Sequence, residues 1–494
     1  MGRILIGIDI GTSSCKAAAF DEDGTVLAQT SRPYRVYYPK AGWAEQDVND
    51  WWDAICACTH EIMSEGKVDP DAVCGIGVDG WSWACVPVDR NGNALARTPL
   101  WIDTRAQPIC DRVVKELGED TIFDIAGNSF VPSYTTPKML WFKEERPEIF
   151  ARTYRFLQCN SYIVYRLTGV MSQEYSQGYG IHFFNMKTLR YEPELAEKMG
   201  LSVDLVPELY ACDQIVGEVT KKASQDTGLK EGIPVVAGGL DAACGTLGAG
   251  VYKAGQTQEQ GGQAGGMSIC TDSAIAHKKL ILSPHVVPGK WLLQGGTVGG
   301  GASLKWFKEQ FGGDLSFNDL TAEAEMVPPG SEGVVFLPYM SGERTPLWNP
   351  DAKGVFYGLS FDKTRGHLVR AVLEGVAFAL EHNLRTAEEV GVHADVLNAM
   401  GGASNSLLWT QIKADVTGRR IDVPSSDTAT TQGVCILAGI GCGVYKDYDE
   451  AISRTVHITR THYPKPENHA LYQKQMELYL ELYDDLKDTF SKFK

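Results

Sequence analysis

The chain has 494 residues, of which 44% are hydrophobic and 22% charged, and its formal net charge is −16 at pH 7. These are globular proportions in a chain too long for one ordinary core, so two large domains are the default and disordered or fibrous classes are excluded. The acidic balance argues against nucleic acid, which needs a basic face, and against anionic membrane surfaces, whereas an anionic small molecule can still be held by local backbone N–H groups and a metal.

Residues 4–10 form an apolar run rich in β-branched residues, ended by Gly11-Thr12-Ser13-Ser14. Two further strands, 15–20 and 25–30, are joined by Asp21-Glu22-Asp23-Gly24, so the chain opens as an antiparallel meander with a first turn rich in Gly and hydroxyls. A helix is predicted over 47–63, with Val48, Trp51, Trp52, Ile55 and Ile62 at its apolar positions, and a buried strand over 73–78. Residues 84–88 lead to a turn at Asp89-Arg90-Asn91-Gly92. Much later, 255–260 runs into Gly261-Gly262-Gln263-Ala264-Gly265-Gly266 and a strand over 267–270. This second glycine turn lies about half the chain beyond the first, a weak sign of duplication. The boundary is expected after the small-residue stretch 245–250, giving domains 1–253 and 254–494.

In the second half a long helix is predicted over 368–390, and a strand over 396–400 enters Gly401-Gly402-Ala403-Ser404. A helix with Leu408, Ile412 and Val416 follows, closed by Gly418. Strand, glycine turn and helix in that order let a backbone approach a nucleotide closely. Residues 471–490 carry Tyr472, Met476, Tyr479, Tyr483 and Leu486 at spacings of three and four, a stripe expected to pack on the second domain, the alternative being an oligomer contact such as a homodimer.

Asp9 ends a buried strand beside a turn with free N–H groups and hydroxyls; such a turn holds phosphate oxygens, and the carboxylate can hold Mg²⁺ directly or through water. The alternative is an Asp that caps its own turn. Asp241 repeats the logic after 235–240, as a candidate acceptor for a hydroxyl proton or as an N-cap. Asp79-Gly80-Trp81-Ser82-Trp83 and Trp101-Ile102-Asp103 combine aromatic faces with polar groups, as a sugar pocket does, or as core packing beside a turn salt bridge. There is no Gly-x-x-x-x-Gly-Lys-Ser/Thr, no His-Glu-x-x-His and no Gly-x-Ser-x-Gly. The twelve cysteines are scattered, Cys74, Cys85, Cys244 and Cys435 read as small buried hydrophobes, and Cys56-Ala-Cys58 lacks a redox or zinc spacer. With no apolar run near roughly 20 residues and no cleavable leader, a cytoplasmic location with reduced thiols is expected.

The order of these motifs resembles the FGGY carbohydrate kinases, most specifically over Phe336-Leu337-Pro338-Tyr339-Met340-Ser341-Gly342-Glu343-Arg344-Thr345-Pro346, through 354–359 and on to 367–375. The resemblance implies an α/β fold of two actin- or hexokinase-like domains, with a sugar or polyol and ATP meeting in the cleft between them and Mg²⁺ as cofactor. It implies Asp241 as catalytic base, Asp9 as the residue organising Mg²⁺, and Gly11, Thr12 and Ser13 as the first phosphate turn. Gly262 and Gln263 fall in the second turn, commonly Gly-Thr-Ser-Gly in the family, which here lacks hydroxyl side chains. Gly401, Gly402, Ala403 and Asn405 match the turn near adenosine, and Gly300-Gly301-Ala302-Ser303 with Trp306 another nucleotide stretch. For the sugar it implies Asp79, Trp81, Trp83 and Asp103 together with Asp241. Xylulokinases carry Gln-Met-His-Gly where this chain has Trp81-Ser82-Trp83-Ala84, and Asp79 with Trp81 is similar to rhamnulokinase. D-Xylulose leads as substrate, with ribulose, rhamnulose, glycerol or a four-carbon polyol as alternatives, or a catalytically weak sugar or nucleotide sensor.

Overall fold

The opening strand, β1 (Ile4–Ile10), is buried at every position, as a strand covered on both faces must be. A computed structural model describes residues 2–64, 68–425 and 428–492. β1 pairs antiparallel with β2 (Ser14–Asp21), which pairs with β3 (Val26–Pro33), giving the expected meander. Helix α1 (Val48–Ser64) returns the chain to β4 (Val73–Gly80), parallel to β1. After an excursion of helices and turns, β5 (Ile215–Glu218), β6 (Pro234–Val236) and β7 (Gly239–Leu240) complete a seven-stranded sheet in the order β5-β6-β4-β1-β2-β3, with β7 beside β4.

Helix α2 (Asp241–Gly248) precedes a second seven-stranded sheet, and the expected division at 253/254 falls in the connection between them. Its elements are β8 (Gln256–Gly261), β9 (Gly265–Thr271), β10 (Ile281–Pro284), β11 (Trp291–Thr297), α3 (Gly301–Phe307) and α4 (Arg365–Glu388). There follow β12 (Val396–Met400), α5 (Leu407–Thr417), β13 (Arg420–Pro424), α6 (Ala429–Gly441), β14 (Ile458–His462) and α7 (Pro466–Phe490). The strand order is β10-β11-β9-β8-β12-β13-β14. β8 has an antiparallel partner in β9 and a parallel one in β12, as β1 has in β2 and β4. The repeat that the residues barely hint at is thus plain in the topology.

Alternation along β1 and β4 sorts the two faces of the first sheet. Ile4, Ile6, Ile8, Ile10, Ile76 and Val78 join Trp51, Ile55 and Ile62 of α1 in one core. The opposite face presents Gly7 on β1 and Gly75 and Gly77 on β4, and α6, from the far half of the chain, lies on these glycines. A Cβ on Gly7 would sit 2.3 Å from the Thr431 carbonyl oxygen and one on Gly77 2.4 Å from that of Val434. α6 also crosses α2 backbone to backbone: a Cβ on Gly433 would be 1.8 Å from the Cys244 carbonyl oxygen. The second half therefore returns to seat one helix on the first sheet.

The C-terminal stripe packs inside the second half, with Tyr472, Met476, Tyr479 and Tyr483 buried beside Phe378, Trp409 and Tyr339, and Leu486 against the same core. Of the four cysteines expected in the core, Cys85, Cys244 and Cys435 are buried and Cys74 only partly so. Its thiol, at the start of a strand, donates to the Ile4 carbonyl. Among the described residues, no helix is long and apolar enough to cross a membrane.

Gly433→Ala is expected to destabilise the chain by about 1–3 kcal/mol, despite alanine's better helix propensity, because no shift of a flexible side chain can relieve a clash with backbone. A urea midpoint equal to wild type would refute the close crossing.

Candidate active site

Three carboxyl groups converge where the first sheet meets α2 and α6. Asp9 and Asp79 are register partners on β1 and β4, on the same face as Gly7 and Gly77, just beyond the N-terminal end of α6. Asp241 is the first residue of α2, delivered by β7, which pairs with the end of β4. It is not an N-cap: Leu240 holds that position, and the Asp241 carboxylate accepts from the Ala242 N–H at 2.6 Å. Burial, and then the charge of Asp9, push Asp241 up to about 7. Burial also raises Asp9, against the pull of the Lys16 ammonium at 3.9 Å.

Asp79 does not reach the sugar cavity expected for it. It is 0% exposed, and burial, followed by the charges of Asp9 and Asp241, holds it well above the usual carboxylate range. No N–H or hydroxyl among the described residues donates to it. The cause is strand parity, which aims residue 79 at the face covered by α6.

Two turns bracket Asp9 and Asp241. At the first, the Thr12 carbonyl accepts from Gln46 Nε2 at 2.6 Å, the Thr12 hydroxyl from Trp101 Nε1 at 3.2 Å, and the Gly11 carbonyl from the Tyr34 hydroxyl. Ser13 is exposed. At the second, the carbonyls of Gly262 and Gln263 accept from the N–H groups of Gly301 and Ala302 at the start of α3. Gly300 must lack a side chain there, since a Cβ would come within 2.4 Å of Ala264. With its carbonyls turned to α3, the turn leaves the N–H groups of Gly262, Gln263 and Ala264 without acceptors among the described residues, a concavity suited to anions.

These elements line a continuous trench. A cavity of 320 Å³ is walled by Thr12, Trp81, Trp83, Trp101 and Tyr179 from the first half and by Gln260, Gln294 and Arg344 from the second. Asp241 lines it and also the adjoining 690 Å³ cavity, which holds Asp9, Gly11, Lys16, Gly262, Gln263, Gly401 and Gly402. A third, of 670 Å³, continues from Gly262 and Gln263 to Gly301, Gly402, Ala403, Asn405, Leu304, Phe317 and Trp409. Trp306 is partly buried in the core behind it. Trp83 adopts a left-handed backbone (φ 66°), costly for so bulky a residue. Its carbonyl accepts from Lys138 Nζ at 2.9 Å, and its ring stacks on Tyr134 with centroids 4.2 Å apart. Asp103 stays outside the cavity because Arg105 closes on it with two N–H bonds, at 2.9 and 2.8 Å, and the Ala44 N–H takes it at 2.7 Å.

Residues 4–248 match the model of the FGGY family of carbohydrate kinases, N-terminal domain, and residues 270–442 its C-terminal domain. The xylulose kinase of Bacillus subtilis (strain 168) is 32% identical over 98% of both chains. The chain belongs to the FGGY family of carbohydrate kinases. A gluconokinase of Bacillus licheniformis is 28% identical over 99% of this chain and 98% of its own. The crystal structure of the xylulose kinase from Rhodospirillum rubrum superposes with a TM-score of 0.92 at 29% identity, covering 99% of this chain and 100% of that one.

In this FGGY chain, Lys16, Gln258, Gln260, Tyr179 and Arg344 line the trench without having been singled out in the sequence. For the two glutamines a signal existed. They belong to Gln256-Thr257-Gln258-Glu259-Gln260, a polar run in a central strand. Glu259 explains part of it, pairing with Lys413 of α5 at 2.6 Å, the two side chains 4% and 3% exposed. That pair ties β8 to α5 beneath the Gly261 and Gly401 turns. Lys413→Met is expected to cost about 3–5 kcal/mol by leaving Glu259 charged and unpaired, with most of the loss recovered in Glu259→Leu/Lys413→Met. Urea unfolding of the three variants checks this; a neutral single variant would contradict it.

Proposed function

We propose that the chain transfers the γ-phosphoryl group of ATP to a hydroxyl of a small ketose, D-xylulose to D-xylulose 5-phosphate, in the cytoplasm. The observation that carries the proposal is that Asp241 lines both an acceptor-sized cavity and one bordered by the Gly262–Ala264 turn, whose N–H groups have no acceptor among the described residues. Similarity to xylulose kinases over the full length supports the ketose.

Residues 1–253 hold the sugar against Trp81, Trp83 and Trp101, and residues 254–494 hold the nucleotide. The 670 Å³ cavity takes the base and ribose between Ala403, Asn405 and Trp409. The N–H groups of Gly262, Gln263 and Ala264 hold the phosphates opposite Thr12, replacing the hydroxyls the second turn lacks. Asp241 takes the hydroxyl proton as that oxygen attacks the γ-phosphorus in line, and ADP leaves. The fit for Mg²⁺ is that of a cation held largely by water and phosphate: Asp9 and Asp241 face one cavity, and the described residues contain no cluster of three or more His, Cys, Asp or Glu that would cage a metal. Bound there near Asp9, Mg²⁺ supplies charge neutralisation at the transferring group. The connection near residue 250 acts as hinge, so that closure excludes water.

ADP release from Mg-ATP, followed over D-xylulose, ribulose, rhamnulose, glycerol and tetritols, tests the proposal. D-Xylulose is expected to give the highest kcat/KM, and Asp241→Asn to lower turnover by about 10²-fold or more. Full activity in that variant, or no activity on any acceptor, would overturn it. The base works deprotonated and its pKa is raised to about 7, so kcat/KM should fall about tenfold per pH unit below that value. A profile flat down to pH 5 would exclude Asp241 as the base.

A further inference from the structure

Arg344 enters the acceptor cavity from the second half of the chain, on a segment whose backbone is clamped on both sides. Thr345 bonds Gly296 through its hydroxyl, which accepts from the Gly296 N–H at 2.6 Å, and its carbonyl accepts from Asn383 Nδ2 at 3.2 Å. Glu343 Oε1 accepts from the N–H groups of Val298 and Arg344, both at 2.8 Å. One oxygen of the carboxylate next in sequence is therefore taken by backbone, the other, Oε2, is buried without a hydrogen-bond partner among the described residues, and neither makes an ion pair with the guanidinium. The guanidinium lies against Gly296, where a Cβ would be 3.0 Å from Nη2.

Among the described residues nothing accepts a hydrogen bond from this guanidinium, although Arg344 is half-buried and burial pulls its pKa down. A partly desolvated arginine without acceptors is costly, and its five N–H groups in a planar fork match a pair of ligand oxygens. The same 320 Å³ cavity contains one carboxylate, Asp241, which the proposed chemistry commits to the attacking hydroxyl. A carbonyl or carboxylate oxygen satisfies the fork outright, whereas a hydroxyl there brings a proton that needs an acceptor of its own.

We propose that Arg344 binds the acceptor directly, donating to a carbonyl or carboxylate oxygen, and that it sets a preference for ketoses and aldonates over alditols. This rests on the 320 Å³ cavity being the acceptor site. The contact also ties acceptor binding to domain closure, because Arg344 belongs to the half opposite Trp83 and Trp101.

The test compares wild type, Arg344→Met and Arg344→Lys on D-xylulose, xylitol and D-xylonate, with KM and kcat from ADP release and dissociation constants from calorimetry. In Arg344→Met the KM and Kd for D-xylulose should rise about 10- to 100-fold, the loss of charged hydrogen bonds. KM for ATP should stay within about twofold, and the preference for ketose over alditol should shrink toward one. Arg344→Lys, which keeps the charge, should recover part of the affinity, and it decides the matter if circular dichroism shows that the methionine variant is unfolded. Unchanged acceptor affinity in the variants, or a loss that leaves the ketose-to-alditol ratio intact, overturns the role of Arg344 while the kinase reading stands. A wild-type protein that neither binds nor phosphorylates any of the three acceptors overturns both.

Discussion

The arrangement depends on contact between backbones where side chains are missing. Gly7, Gly75 and Gly77 share one face of β1 and β4, and α6, contributed by the opposite half of the chain, sits in the shallow trough they leave. Gly433 lets the same helix cross α2 at backbone distance. Protein interiors transmit such contacts with little slack. The helix start, the first residue of α2 and the ends of β1 and β4 therefore meet at one point, and a side chain at any of these glycines would move the carboxylates relative to the turns.

That geometry sets the electrostatics. Three carboxyl groups lie close together with one nearby ammonium, Lys16; burial raises all three, and the charge of Asp9 raises Asp79 and Asp241 further. Asp79, wholly buried and in register with Asp9, is held well above the usual carboxylate range; Asp241, at the junction of two cavities, is raised to about 7. In the proposed role, Asp241 raised to about 7 is a stronger base than an ordinary carboxylate and still partly deprotonated at neutral pH. On the proposed reading, phosphate recognition falls to the backbone N–H groups of Gly262 to Ala264, which form a concavity for anions in a turn without hydroxyl side chains.

Much of this was legible in the sequence. Residues 4–10 read as a covered strand because every position except Asp9 is apolar, and the long helix and the C-terminal stripe showed their period, although the long helix starts at Arg365 where the apolar pattern begins only at 368. Asp9, Asp241 and the Gly401 turn stood out as carboxylates and glycines at strand ends, and the three share the central cavity. Asp79 and Asp103 looked like pocket residues because aromatics surround them, but parity turns one toward α6 and a neighbouring arginine closes on the other. The return of α6 to the first sheet left no local trace, since glycines in a strand do not say what covers them. Tyr179 and Arg344 reach the 320 Å³ cavity through tertiary folding alone.

The most direct test of the account is a crystal structure of the protein with ADP, Mg²⁺ and D-xylulose. The account predicts a ketose hydroxyl within hydrogen-bond distance of Asp241, facing a β-phosphate held by the N–H groups of Gly262 to Ala264. A ketose bound away from Asp241, or a nucleotide outside the Gly262 and Gly401 turns, would contradict it.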